Sequence, residues 1–374
     1  MGTNKEIISN RQAICMMSLF IAGSTLLLGF GSSSKQDTWL AFLFGCAFAI
    51  PAFAIYARIL SLFPGQNLYE ILEVLFGRIA GKLFSLLYVW YSFHLGSLVL
   101  RNFQEFIKVV ALIETPAMIS VMFMGVLCIW VAKEGIEVLG RYSQFMVPIL
   151  AATILIIVAL SMTLADFDNL LPVLYDGFRP VLSDAFSAFS FPLAETVLFM
   201  AVLPLDRKKN NPYKIFYLSL AAAGTLVLLV TLRNALVLGP NHLGHYYFAS
   251  YTTVSLVKIG RFLQRIEVTV AVTFLFAGFV KISVCLLGAS KGIASIFKLK
   301  DYRQIVTPTG LLMMVTSCFI YQSIMEMIEW ALKIYKFYAF PFQAIFPVLF
   351  WIVAEIKAGK QKKTRSLSHV RSTQ

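Results

Sequence analysis

The sequence predicts an all-α integral membrane protein, a single polytopic domain over residues 1–374 with about ten transmembrane helices. Three observations carry that prediction. Hydrophobic residues make up 59% of the chain and charged ones 14%, with a mean hydropathy of +0.77, whereas soluble domains carry about 25% charge. Apolar runs recur along the whole length, each close to the roughly 20 residues that cross a hydrocarbon core of about 30 Å. Lysine and arginine collect in alternate connections between the runs: 21 of 32 fall on one side, nine on the other, and two, Arg233 and Lys281, inside runs.

In chain order the spans are predicted at residues 12–34, 38–57, 83–100, 115–132, 142–165, 185–205, 215–232, 268–290, 304–325 and 337–354. Lys5 and Arg11 precede the first run in the manner of a signal peptide, but that run is too long and nine more follow, so it reads as a retained helix. The charge bias places both termini in the cytoplasm and the acidic stretch with Asp166, Asp168, Asp176 and Asp184 outside. Residues 357–374 form a basic cytoplasmic tail with six cationic and no acidic side chains. Such a tail lies against anionic lipid of the bilayer, not nucleic acid.

Two runs carry a charge near their middle. Glu195 follows Pro192 by three residues in 185–205, and Lys281 interrupts 268–290. A charge at the bilayer centre costs about 2.5–3.5 kcal/mol on insertion scales, so it is rare and lines a cavity or a pathway. Between spans two and three, after Pro64-Gly65, residues Leu68, Ile71, Leu72, Leu75 and Phe76 mark one face of a helix lying on the membrane. After span seven the pattern recurs over 252–264, where Leu256, Ile259 and Leu263 oppose Lys258, Arg261 and Arg265. Surface helices in corresponding places predict a 5+5 repeat, 12–163 and 183–356, and an odd number of spans per half makes it inverted.

The opening span of each half, helices one and six, is then expected to be discontinuous. Gly23-Ser24-Thr25 and Gly29-Phe30-Gly31 interrupt the first. Pro192 removes a donor from the sixth and strips the carbonyl of Ala188 of its helical partner. Free backbone groups at membrane depth survive only where protein or a wet cavity satisfies them. Paired breaks near the midplane therefore point to a ligand site, and the helix N-termini they create suit a carboxylate.

Catalysis finds no support. The chain has neither a phosphate-binding Gly-rich loop nor a His-Glu-x-x-His pattern. His242 and His245 have no acidic residue close by. Cys15, Cys46, Cys128, Cys285 and Cys318 all sit inside apolar runs at unrelated spacings, so no disulfide framework, metal or cofactor is expected.

Several segments, in order, resemble one family: Gly23-Ser24, Lys35-Gln36-Asp37-Thr38-Trp39-Leu40, Phe63-Pro64-Gly65-Gln66-Asn67-Leu68, Gly140-Arg141-Tyr142 with Pro148, Asn169-Leu170-Leu171-Pro172-Val173 and Phe191-Pro192-Leu193-Ala194-Glu195. From about residue 7 to 357 the chain resembles the B subunit of bacterial spore germinant receptors, within the amino acid/polyamine/organocation transporter superfamily. The resemblance implies a LeuT-like core, recognition of an amino-acid-like nutrient, A-type and C-type partner subunits, and residence in the inner membrane of the spore. Family members commonly follow the proline of the sixth span with glycine, where this chain has Leu193-Ala194; that narrows the pocket.

The expected ligand wall is Gly23, Ser24, Thr25, Tyr91, Phe191, Pro192 and Glu195, with Phe191 stacking on an apolar part of the ligand. Glu195 has two readings, a buried acid that holds the break together and a contact for a ligand amine or a proton. In the implied architecture the eighth span meets the first beside the ligand, where some relatives hold sodium, and the Lys281 ammonium would stand in for that cation. Pairing of Glu195 with Lys281 is a hypothesis from their similar depth. Arg233 reads as a snorkelling or loop-tethering side chain, and His94, near Tyr88 and Tyr91, as a packing residue. Two functions fit: the nutrient-sensing subunit of a germination receptor, and a proton-coupled amino-acid transporter.

Overall fold

The computed structural model describes residues 6–28, 33–110, 116–206, 209–240, 242–243, 246–257 and 266–371, the side chains of residues 24, 27, 117 and 360–371 excepted. Every regular element among them is helical. In chain order these are α1 (Asn10–Leu28), α2 (Thr38–Leu62), α3 (Leu68–Val110), α4 (Ala117–Glu134), α5 (Ile136–Ser161), α6 (Phe178–Ala188), α7 (Phe199–Val202), α8 (Pro212–Leu238), α9 (Ala249–Ser255), α10 (Glu267–Phe297), α11 (Arg303–Phe319), α12 (Ile324–Glu329), α13 (Tyr335–Phe340) and α14 (Phe346–Arg371). Among the described residues seven helical stretches are long and apolar enough to cross a membrane. The spans predicted at 12–34, 115–132 and 304–325 fall on α1, α4 and α11, which run to 19, 18 and 17 residues.

The segment from Phe178 to Val202 occupies the centre. Of its apolar window 94% is buried, against 22% for Ile136–Leu164, which leaves α5 largely facing lipid. α1 packs against α5, α8 and α10, while α3 runs along α10 and α2 lies against α6 and α8.

Two expectations change, and a third falls largely outside the described residues. The helix before Gly77 does not rest on lipid: Leu68, Ile71 and Leu72 are fully buried, and the Tyr69 hydroxyl donates to the Gly288 carbonyl of α10 at 2.7 Å. Its apolar stripe faces protein because the chain turns sharply at Gly77, whose φ of 75° and ψ of −176° favour glycine. In the second half, α9 covers only the start of the matching segment, and Ile259, Leu263, Lys258, Arg261 and Arg265 lie outside the described residues.

The second change concerns helix one, which is not discontinuous at Gly23. α1 passes through Gly23, Ser24 and Thr25 without interruption, and Gly29–Gly31 lie outside the described residues. Gly23 serves close packing instead. A Cβ there would stand 2.8 Å from the carbonyl oxygen of Ala277 in α10, a backbone atom that cannot swing away. Helix six is broken as expected. α6 passes into a π turn over Phe189–Leu193, then a 3-10 turn over Ala194–Leu198, before α7 resumes, and Phe191 adopts a non-helical φ of −136° and ψ of 109°. Pro192 has no N–H to continue the ladder.

The last long apolar stretch is interrupted too. π turns at Trp330–Ile334 and Pro341–Ile345 flank α13 and bring Tyr335 and Gln343 into the protein interior.

Candidate functional site

The break in the central segment frees backbone acceptors, and side chains from other helices take them up. Gln343 Nε2 donates to the Ser190 carbonyl at 2.8 Å, and the Tyr56 hydroxyl reaches the Ala194 carbonyl at 3.5 Å and the Gln343 carbonyl. Nothing in this arrangement depends on lipid or bulk water, as a polar break at this depth requires.

One residue beyond Ala194, Glu195 turns inward at 0% exposure and pairs with Lys281 of α10, also at 0% exposure. The lysine Nζ donates to Glu195 Oε2. Its remaining face meets two rings: Nζ lies 4.9 Å from the centroid of Phe20 in α1 and 5.0 Å from that of Phe191 at the break. Ring quadrupoles attract a desolvated ammonium by about 2 kcal/mol in favourable cases. Glu195 Oε1 in turn accepts from the Tyr335 hydroxyl at 2.5 Å. The pair, inferred above from similar depth, is thus present with both carboxylate oxygens occupied.

From Glu195 the hydrogen bonds continue. Tyr335 OH lies 3.2 Å from Tyr91 OH, and Gln343 Nε2 donates to Tyr91 OH at 2.9 Å as well as to Ser190 O. The route therefore leaves the break at Glu195 and returns to it at Ser190. Gln343 Oε1 is buried with no partner among the described residues. A buried acceptor left open costs about 1–3 kcal/mol. Such a fully connected ion pair need not stabilise relative to an apolar pair, but removing one partner costs about 3–5 kcal/mol.

Of the predicted wall, Tyr91, Phe191, Pro192 and Glu195 come together here, joined by the predicted cation substitute Lys281. Gly23 sits one turn after Phe20 and meets α10 through its backbone. Thr25 is buried but returns its hydroxyl to the Ile21 carbonyl of its own helix at 2.9 Å. The side chain of Ser24 lies outside the described ones. His94 stacks on Trp90 at 5.3 Å and meets Tyr338 edge-on at 5.1 Å, in keeping with a packing role. Phe20, Tyr56, Tyr335 and Gln343 were not singled out from sequence. Tyr335 and Gln343 stand eight residues apart, a spacing that shares a face on a helix, but the π turns on either side leave no mark beyond Pro341.

A second polar cluster lies at the other end of the broken segment. Lys291 Nζ donates to Glu6 Oε2 at 2.7 Å and to the Val202 carbonyl that closes α7 at 3.1 Å, and the Tyr302 hydroxyl donates to Glu6 Oε1 at 2.6 Å. Burial pushes the Glu6 carboxyl up, but Lys291, Tyr302 and Arg303 outweigh it and hold it below the usual carboxylate range. Among the described residues no three His, Cys, Asp or Glu side chains converge as metal ligands would.

A long-helix bundle around a broken, charge-bearing central segment defines a class: an integral membrane protein with the LeuT transporter fold. The backbone matches MhsT in complex with L-phenylalanine at a TM-score of 0.70, with 14% identity over 94% of this chain and 89% of that one. It matches a closed nucleobase–cation symporter with bromovinylhydantoin bound at 0.60, with 13% identity over 87% of this chain and 75% of that one. These likenesses concern the fold. A family model described as "Spore germination protein" matches residues 7–349. Spore germination protein KB of Bacillus subtilis (strain 168) is 31% identical over 366 residues, 96% of this chain and 98% of that protein. The chain belongs to the spore germination protein family.

Proposed function

We propose that the protein is the nutrient-sensing subunit of a spore germination receptor. An amino-acid-like molecule docks beside the break between α6 and α7, and closure around it is relayed to A-type and C-type partner subunits. The observation that carries this reading is the Glu195–Lys281 pair, fully buried at the break, in a chain of this family. In it the Lys281 ammonium takes the place of a bound cation, while Phe191, Tyr91 and the open Gln343 oxygen supply the apolar wall and a polar contact. The L-phenylalanine bound to MhsT, a protein of the same fold, supports a ligand of that class. Ten spans in a 5+5 inverted repeat over 12–163 and 183–356, a cytoplasmic tail at 357–374, cytoplasmic termini and the inner spore membrane belong to the same proposal. A relay requires that the ligand bind one of two conformations more tightly.

A proton-coupled transporter is the second reading. It is favoured by the hydrogen-bonded series from Glu195 through Tyr335 to Tyr91, along which a proton can be handed. Deletion spores complemented with Glu195→Gln distinguish the two. The receptor reading expects loss of germination on nutrients with the response to non-nutrient triggers intact; normal nutrient germination would overturn it. Uptake of radiolabelled amino acid into liposomes holding this chain alone, abolished by Lys281→Ala, would establish the transporter instead.

A further inference from the structure

Three cationic side chains are buried among the described residues: Arg101, Arg233 and Lys281. Arg101 pairs with Glu105 at 2.9 Å and Lys281 with Glu195. Arg233, 3% exposed in the last turns of α8, has no carboxylate within ion-pair distance among the described residues. It does not snorkel. Its Nε and Nη2 donate to Asn234 Oδ1 at 3.2 and 2.6 Å, and Nη2 also reaches the Ser250 carbonyl of α9 at 3.3 Å. These are neutral partners. They tether α9 but bring no negative charge, and Nη1 has no partner among the described residues.

A guanidinium keeps its proton in any protein environment, so it cannot escape burial by neutralising. The α8 C-terminus offers at most about half an elementary negative charge. Stripping an ion of water still costs several kcal/mol after relaxation. The remaining compensation has an obvious place. A cavity of about 20 Å³ is lined by Arg233, Ser250, Thr153 and Thr273 and otherwise by apolar side chains such as Leu26 and Phe274, where α1, α5, α8, α9 and α10 meet. It has room for a single small ion or water molecule, too little for a carboxylate-bearing molecule. Ser250 Oγ accepts from Asn234 Nδ2 at 3.0 Å, and its own proton has no acceptor among the described residues. The Thr153 hydroxyl makes no hydrogen bond among the described residues, whereas Thr273 spends its proton on the Thr269 carbonyl.

We propose that this cavity is a halide site, occupied by chloride held between the Arg233 guanidinium and the Ser250 and Thr153 hydroxyls. The ion neutralises Arg233 and fastens α9 to α8 and α5. The site is separate from the Glu195–Lys281 network and does not depend on the function proposed above.

The test is thermal unfolding of the full-length protein in lipid nanodiscs, titrated with sodium chloride or bromide against sodium gluconate at constant ionic strength. The expected result is a saturable rise in Tm of about 2–4 °C with either halide and none with gluconate. Arg233→Gln should abolish the halide dependence. Should that variant fail to fold, Thr153→Val, which removes only a hydroxyl, should move the titration midpoint severalfold higher. Identical unfolding of the unaltered protein in chloride and gluconate would mean that water fills the cavity, and a halide effect that survives Arg233→Gln would put the ion elsewhere; either outcome overturns the assignment.

Discussion

The opening helices of the two halves invite comparison. Both carry helix-breaking residues at the depth where a ligand site is expected, yet α1 runs straight through Gly23–Thr25 while the segment from Phe178 to Val202 comes apart at Pro192. The difference lies in what each residue removes. Glycine removes a side chain and permits a break without requiring one; the energetic penalty of glycine in a helix is about 1 kcal/mol, which the close approach to Ala277 offsets by packing. Proline removes the N–H itself, so the ladder cannot close whatever the surroundings. A glycine pair is therefore weak evidence for unwinding; a proline is stronger evidence but not sufficient, since α2, α5 and α11 continue through Pro51, Pro148 and Pro308.

It follows that α1 is held by its own backbone, whereas the broken segment is held by side chains from α2, α10, α13 and the turn at Gln343. The largest expected effect of any substitution is accordingly at Lys281. Lys281→Met leaves Glu195 buried without its cation and should cost about 3–5 kcal/mol, seen as a fall in Tm of the purified protein. Adding Glu195→Gln should recover most of that loss, because the remaining amide is neutral. Additive losses in the double variant would mean that the two side chains are not coupled.

Tyr335→Phe comes next. It removes the donor to Glu195 Oε1 while keeping the ring against Phe191 at 6.0 Å, and a hydrogen bond to a charged group is worth about 1.5–3 kcal/mol. The same change interrupts the series from Glu195 to Tyr91, so it should lower proton-coupled uptake if the transporter reading holds and leave nutrient affinity nearly unchanged if the receptor reading does. Gly23→Ala probes the other helix. Its new methyl would press on the Ala277 backbone, an overpacking cost of about 1–3 kcal/mol, whereas an unwound α1 would tolerate alanine. Unchanged Tm would revive the broken form of helix one.

Much of this was legible in sequence, and what was not has physical reasons. Composition and run length give an all-helical membrane protein, and Glu195, three residues after Pro192, with Lys281 locates the centre, because charges inside apolar runs have few other uses. The close partners were invisible. Tyr335 and Gln343 reach the site through π turns whose geometry depends on tertiary packing, and Phe20 is one of 33 phenylalanines with nothing to single it out. The face of Leu68–Phe76 is apolar in the sequence, but periodicity cannot say whether such a face meets lipid or protein; Gly77 decides it by turning the chain.

The two opening helices also meet through one side chain. Lys291 binds Glu6, just ahead of α1, and the Val202 carbonyl at the end of α7, so the continuous and the broken helix share a clamp at the same end. Because the folded state holds the Glu6 carboxyl below its ordinary range, the clamp's contribution is complete above the unfolded value near 4.5. It is lost as pH falls through the lower folded value. Glu6→Gln should thus leave the acid limb of the stability curve shallower than that of the unaltered protein, with a difference of about 1 kcal/mol at neutral pH. Proteolysis measured across the same range should expose the residues before α1 earlier in the variant. Superimposable acid limbs would show that Lys291 holds α7 without help from the segment preceding α1, and would leave the two helices independent at this end.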